Sequence, residues 1–144
     1  MKVHNKIYSV DEIKEKLAPL FEEEGLQLVL LFGSMASGKV HGRSDLDLGF
    51  LFDKPQDILA LTNRVIRLLK SDRVDVVDLR RTSPLLNFVA VTKGELLYER
   101  SPGLFNSFYS LTFRRYIDTK KLRKIQEIAI NSFVRERHPV KEKE

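Results

Sequence analysis

Two short apolar stretches, separated by thirteen residues rich in glycine and serine, constrain the fold of this chain more than any other feature. They run from Leu26 to Phe32 and from Leu46 to Phe52, and each predicts a β-strand, the first of them buried. Apolar patterns at helical spacing lie on both sides of them. Strands and helices mixed in this order indicate a domain of the α/β (α+β) class. We therefore expect a small mixed β-sheet flanked by helices.

Local signals place the remaining elements of this domain. In chain order they are a helix capped by Ser9 and ending before Gly25, the two strands, a helix opened by Pro55, a third strand from Arg73 to Leu79, a short helix from Pro84 to Gly94, and a fourth strand from Glu95 to Glu99. The second helix has its apolar positions at Ile58, Leu59, Leu61, Val65, Ile66, Leu68 and Leu69.

The C-terminal segment, from about residue 102 to residue 137, contains no glycine or proline after Gly103. This predicts one long helix or a pair of helices. The apolar stripe is lost at Arg115 and Asp118 and resumes at Leu122. The break predicts that the two halves of the segment bury different faces.

Composition and length favour one globular domain over residues 1–144, with a core at about 9–100 and the C-terminal helical segment at about 102–137. The absence of cysteine excludes disulfides and thiolate metal sites. The N-terminus lacks the apolar core of a signal peptide, and no apolar run is long enough to span a bilayer. We therefore expect a cytoplasmic protein that does not bind membranes.

Residues Gly33 to Lys39 match the Gly-x-x-x-x-Gly-Lys pattern of a Walker phosphate-binding loop. That loop needs a Ser or Thr directly after the lysine to ligate magnesium, and a helix that starts there to direct its N-terminus at the phosphates. This chain has Val40 at that position, and the next residues lead directly into the second strand. The context argues against this interpretation.

A different signature occupies the same region. Side chains alternate along a strand, so Asp45 and Asp47 project from one side while Leu46 and Leu48 point into the core. Two carboxylates at about 4 Å repel by on the order of 4 kcal/mol at an effective dielectric of 20, and they need a cation or a shared proton. No lysine or arginine lies on this strand. Oxygen ligands of this kind suit magnesium, which substrate phosphates then complete.

Gly33 and Ser34 lie where the preceding strand ends. A glycine allows close approach of a ligand, and the following amides with the serine hydroxyl can donate to phosphate oxygens. Asp75, on the third strand, completes a cluster of three carboxylates if it pairs beside Asp47. Asp78 then faces away, unless the register shifts by an odd number of residues.

These residues resemble the nucleotidyltransferases of the DNA polymerase β superfamily, and most closely its minimal (MNT) branch. The resemblance covers roughly residues 26 to 100 and rests on Gly33-Ser34, Asp45-x-Asp47 and Asp75. It implies a polymerase β-like fold and transfer of a nucleotide from ATP to a hydroxyl group, with Asp45, Asp47 and Asp75 as catalytic residues that also bind two Mg²⁺ ions. Gly33 and Ser34 would bind the nucleotide. Many members of the family have a basic residue at the position of Ser37, where it contacts the triphosphate. Lys39 and Arg43 lie nearby and could replace it in binding the nucleotide. The alternative is that both are solvated charges of a loop.

Chains of this size resemble the antitoxins of HEPN/MNT toxin–antitoxin pairs, which adenylylate a tyrosine of a HEPN ribonuclease toxin. The implied partner would dock partly on the C-terminal segment, where the whole positive excess of the chain lies. The residues considered for this docking are Phe105, Tyr109, Phe113, Arg114, Tyr116 and Lys121; the alternative, preferred for most of the aromatic ones, is that they close the domain's own core. Three alternative functions remain. They are nucleotidyl transfer to a small molecule such as an aminoglycoside, neutralisation of the toxin by binding alone, and nucleic-acid binding. The acidic cluster disfavours the last of these, because it would repel phosphates.

Overall fold

The computed structural model describes residues 8–33 and 46–137. Its elements, in chain order, are α1 (Val10–Phe21), β1 (Leu26–Phe32), β2 (Leu46–Phe52), α2 (Ile58–Leu69), β3 (Val74–Asp78), α3 (Pro84–Lys93), β4 (Glu95–Glu99) and α4 (Leu104–Arg137). The predicted α/β (α+β) class and the mixed sheet are confirmed. The bounds of β1, β2 and β4 are those that the sequence predicts.

The four strands form one sheet in the order β3-β2-β1-β4. β1 is antiparallel to both of its neighbours, whereas β2 and β3 run parallel. Because of these directions, the end of β1 and the beginnings of β2, β3 and β4 lie along the same edge of the sheet. Residues from four separate parts of the chain therefore meet there.

Helices cover both faces of the sheet, which explains why β1 is apolar at nearly every position. Val29 and Leu31 pack in a core cluster with residues of α1 and α2, while Leu28, Leu30 and Phe32 pack in a second cluster with residues of α3 and α4. A strand buried on both faces has no polar side of its own. In β2 the even-numbered residues pack on the side of α1 and α2, so its odd-numbered residues lie on the face of the sheet that α3 and α4 cover.

Capping side chains determine where three of the helices begin. Ser9 accepts a hydrogen bond from the Glu12 amide at 3.2 Å, as predicted. Ser83 does the same for the Leu86 amide just before Pro84, the residue at which α3 was predicted to begin. The prediction for α2 was wrong by one turn: Asp57 accepts from the Ala60 amide at 3.1 Å, so the helix begins at Ile58 rather than at Pro55. Leu59, assigned to its apolar face, is 73% exposed.

The C-terminal segment is one continuous helix of 34 residues rather than a pair. Phe108 and Thr112 are buried against the rest of the domain, and the Tyr116 ring stacks on Phe88 of α3 with 4.0 Å between ring centroids. Phe105 packs against the core, whereas Tyr109 and Phe113 are more exposed. Within the part of the chain that the structure describes, no helix has the length and apolarity needed to cross a membrane.

Candidate active site

Two of the three predicted catalytic aspartates meet at the edge of the sheet where β1 ends. In the β1–β2 pair Phe32 lies opposite Asp47, and in the parallel β2–β3 pair Asp47 lies opposite Asp75. Residues paired in register project their side chains to the same face of the sheet, and neighbouring strands are about 4.8 Å apart. Asp47 and Asp75 are therefore adjacent carboxylates on the face covered by α3 and α4.

Gly33 follows β1 directly and brings its backbone against the Asp47 carboxylate. Its φ of +87° lies in the left-handed region, and a Cβ built at this position would overlap Asp47 Oδ2. Only glycine accommodates both the backbone conformation and this approach without strain. The end of β1 thus supplies one wall of the site.

The environment of Asp75 differs from that of Asp47. Asp75 is exposed, and among the described residues no hydrogen bond or ion pair reaches its carboxylate. Asp47 is half-buried and has an interaction of its own. The alternative of Asp75 as a strand-end residue held by backbone amides therefore finds no support in the described part of the chain.

Asp78 lies on the opposite face of the sheet, three residues after Asp75. It pairs with Phe50, its Oδ1 accepts from the Arg80 amide at 3.0 Å, and its carbonyl accepts from Thr82 Oγ1 at 2.7 Å. These bonds build the turn that follows β3. Asp78 therefore stabilises this turn, and Asp75 is the aspartate of β3 that lies beside Asp47.

The remaining predicted site residues lie outside the described residues. They are Ser34, Lys39, Arg43 and Asp45, together with Ser37. Among the residues that are described, no three acidic or histidine side chains form a group able to hold a metal ion. Asp47 and Asp75 supply two such side chains.

Two carboxylates about 5 Å apart repel by roughly 3 kcal/mol at an effective dielectric of 20, and by less where solvent screens one of them. A divalent cation between them removes this cost. Carboxylate oxygens are the ligands that Mg²⁺ prefers, and Mg²⁺ leaves coordination positions for water and phosphate oxygens. The donor set at this edge of the sheet therefore fits Mg²⁺.

Sequence reasoning missed a contact that shapes this face. A Cβ at Gly49 would lie 2.9 Å from Leu79 Cδ2, so the side chain that follows β3 covers β2 two residues after Asp47. An isolated glycine inside an apolar strand is the signal that would have indicated such a close approach.

The model of the family described as "Polymerase beta, Nucleotidyltransferase" matches residues 15–103, which is more than half of the chain. This match contains Gly33, Asp47 and Asp75, as well as the 34–45 segment between the first two strands.

Two similar proteins are protein adenylyltransferases named MntA. The one from Aphanizomenon flos-aquae is 26% identical over 145 residues, which cover 92% of this chain and 97% of that protein. The one from Shewanella oneidensis is 41% identical over 76 residues, which cover 51% of this chain and 54% of that protein.

Solved structures with the same fold include a toxin–antitoxin crystallised with AMP-PNP, with a TM-score of 0.69 and 28% identity over 88% of this chain and 99% of that one. Another is the MNT antitoxin in complex with the tri-AMPylated HEPN toxin of Shewanella oneidensis, with a TM-score of 0.66 and 26% identity. The match covers 87% of this chain and 98% of that one. The match of the family model, together with the aspartate pair beside Gly33, shows that this chain belongs to the polymerase β nucleotidyltransferase family.

Proposed function

We propose that this chain is an antitoxin that transfers AMP from ATP to a tyrosine hydroxyl of a HEPN ribonuclease toxin. The observation that carries the proposal is the register of Asp47 and Asp75 on adjacent parallel strands beside Gly33. This arrangement offers oxygen ligands for a metal–nucleotide complex at the edge of the sheet where β1 ends. The transfer neutralises the toxin and releases pyrophosphate.

The relatives support a protein as the acceptor. Two of them are named protein adenylyltransferase, and a structural relative forms a complex with an AMPylated HEPN toxin. The complex of another with AMP-PNP, an analogue of ATP, supports ATP as the donor. The similarities to the two solved structures extend over 88% and 87% of this chain, which is why we assign it the same class of donor and acceptor.

In this proposal Asp45, Asp47 and Asp75 hold two Mg²⁺ ions. When bound, these ions supply charge stabilisation for the entering and departing oxygens of the phosphoryl group. Gly33 and Ser34 bind phosphate oxygens through backbone amides and the serine hydroxyl. Lys39 and Arg43 contribute positive charge in place of the basic residue that is absent at Ser37.

The acceptor oxygen forms a bond to the α-phosphorus of ATP, and the bond between that phosphorus and the oxygen of pyrophosphate breaks. The acceptor hydroxyl loses its proton, which we assign to the Asp75 carboxylate. Asp75 suits this role because it is more exposed than Asp47, so that an incoming side chain can reach it. Asp47, held against Gly33, remains a fixed ligand.

The test is transfer of label from ATP carrying ³²P at the α-phosphate to the HEPN toxin of the same genome, in the presence of Mg²⁺. Asp75→Asn should lower the rate at least a hundredfold, because the amide is a poor metal ligand and does not accept the proton. Asp78→Asn is the matched control, since it lies on the same strand but on the opposite face, and its side-chain oxygen can still accept from Arg80. Equal activity of the two variants would remove Asp75 from the mechanism.

The same assay separates the alternative functions. Pyrophosphate release with an aminoglycoside, and none with the toxin, would make the chain a small-molecule nucleotidyltransferase. Neutralisation of the toxin by a triple variant of Asp45, Asp47 and Asp75 that incorporates no label would show that binding alone suffices.

A further inference from the structure

The two halves of α4 present their apolar residues on different sides of the helix. In the first half Phe108 and Thr112 are buried, and Tyr116 stacks on Phe88. In the second half Leu122, Ile125 and Ile128 are 54%, 54% and 58% exposed. These three residues are part of what we call the distal face, which also contains Ala129 and Ser132.

The distal face is continuous and carries no charge. At about 100° per residue, its five members fall within an arc of roughly 120°. No other residue between 122 and 132 falls in this arc. An uncharged stripe of this width is the pattern of a helix that packs against another element.

The distal face points away from the body of the domain. The middle of its arc is rotated by roughly 140° from the middle of the side that carries Phe108, Thr112 and Tyr116. A helix that packs its first half on the domain therefore turns the distal face outward. Helices in proteins are stabilised mainly by packing an apolar face, so an outward face of this kind indicates a separate partner.

The charge of α4 indicates which kind of partner fits. The helix carries eight lysine and arginine residues against three aspartate and glutamate residues, while the rest of the chain has seventeen of each. Lys124 lies beside the distal face and Lys121 continues its arc at the N-terminal end, and both lysines are exposed. A second copy of the chain would bring like charges together, whereas a partner with acidic residues around an apolar stripe would be attracted.

We propose that the distal face of α4 binds an amphipathic helix of the HEPN toxin, with toxin carboxylates placed beside Lys121 and Lys124. This inference rests on the proposed function for the identity of the partner. It adds the docking surface, which is separate from the site at Asp47 and Asp75. Docking on α4 would raise the local concentration of the acceptor without taking part in the transfer of AMP.

The experiment compares the double variant Ile125→Gln/Ile128→Gln with Ile130→Gln. Ile130 is 61% exposed and lies two residues after Ile128, but on the other side of the helix. Glutamine is a good helix former, so α4 should be retained in both variants, as circular dichroism can verify. The full chain and the separately purified toxin are used, and both the Kd for the toxin and the kinetics of AMP transfer are measured.

The double variant should raise both the Kd and the KM for the toxin at least tenfold, with kcat at saturating toxin unchanged. Ile130→Gln should stay within twofold of the unmodified chain. Lys121→Glu/Lys124→Glu should also weaken binding, and the difference from the unmodified chain should shrink at high salt.

Three results would overturn the docking proposal. They are a double variant that binds like the unmodified chain, an unmodified chain that does not bind the toxin, and a homodimer that the double variant dissociates into monomers. Failure of the proposed function looks different, because the toxin would then bind through the distal face without acquiring label.

Discussion

Gly33 shows how a single residue without a side chain can position a carboxylate. Its positive φ turns the chain away from β1, and the missing Cβ leaves the space that Asp47 Oδ2 occupies. The chain repeats the arrangement at the other end of the β1–β2 pair, where Gly25 has a φ of +86° and its missing Cβ leaves space for Asp53 Oδ1. Only the pair at Gly33 has a second aspartate, Asp75, in register beside it.

Gly33→Ala should impair the site more than it impairs the fold. The left-handed conformation costs a non-glycine residue about 1–3 kcal/mol, and the new methyl group must also displace the Asp47 carboxylate. We expect a lower free energy of unfolding and at least a tenfold loss of AMP transfer. Urea unfolding and the labelled-ATP assay measure the two effects.

Gly103→Ala separates backbone strain from displacement of Asp47. Gly103 has a φ of +95°, but a Cβ there would meet nothing within 4 Å. This variant should lose a similar amount of backbone stability and retain its activity. If Gly33→Ala kept its activity as well, the contact between Gly33 and Asp47 would have no catalytic importance.

At the scale of elements, side-chain caps decide where the helices begin, and the directions of the strands decide which residues meet. Asp57 caps α2, whose Leu61, Val65 and Leu69 pack in the core cluster between the sheet and the helices α1 and α2. The antiparallel β1–β2 pair and the parallel β2–β3 pair together bring Gly33, Asp47 and Asp75 to one edge.

Asp57→Ala should lower the free energy of unfolding by about 1 kcal/mol, because the Ala60 amide at the start of α2 loses its acceptor. Asp57→Asn should have a much smaller effect, since the amide oxygen can still accept this hydrogen bond. AMP transfer should be unchanged in both variants, as Asp57 lies outside the proposed site. Thermal or chemical unfolding curves test the difference. If both variants lost the same free energy of unfolding, the charge of Asp57 rather than its capping hydrogen bond would be the source of the stabilisation.

At the scale of the whole molecule, the proposed site and the distal face are separate surfaces of one chain. The site lies at the edge of the sheet, with ligands from β2 and β3, whereas the distal face belongs to the end of α4 that extends past its packed residues. This separation allows binding of the toxin and binding of the nucleotide to be measured independently.

ATP and Mg²⁺ together should stabilise the folded protein. A ligand at one hundred times its Kd adds about 2.7 kcal/mol to the free energy of unfolding, which corresponds to a rise in Tm of several degrees for a chain of this size. ATP with EDTA should give a much smaller shift. Asp75→Asn should reduce the shift and Asp78→Asn should not, as scanning calorimetry can establish; a full shift without metal would argue against the proposed carboxylate ligands.

The sequence alone determined the elements and the candidate residues of this protein, because these depend on local patterns. Two mostly apolar stretches of seven residues defined β1 and β2, and Pro84 defined the start of α3. The start of α2 was misplaced because Pro55 fits equally well in an extended segment that precedes a capping aspartate. The tertiary structure alone decided that Asp75 rather than Asp78 lies beside Asp47, because strand register depends on long-range pairing and a shift of one residue would exchange the two faces. It also decided that the apolar residues of the distal face remain exposed, because the burial of a helix face depends on the direction in which the other half of the helix packs.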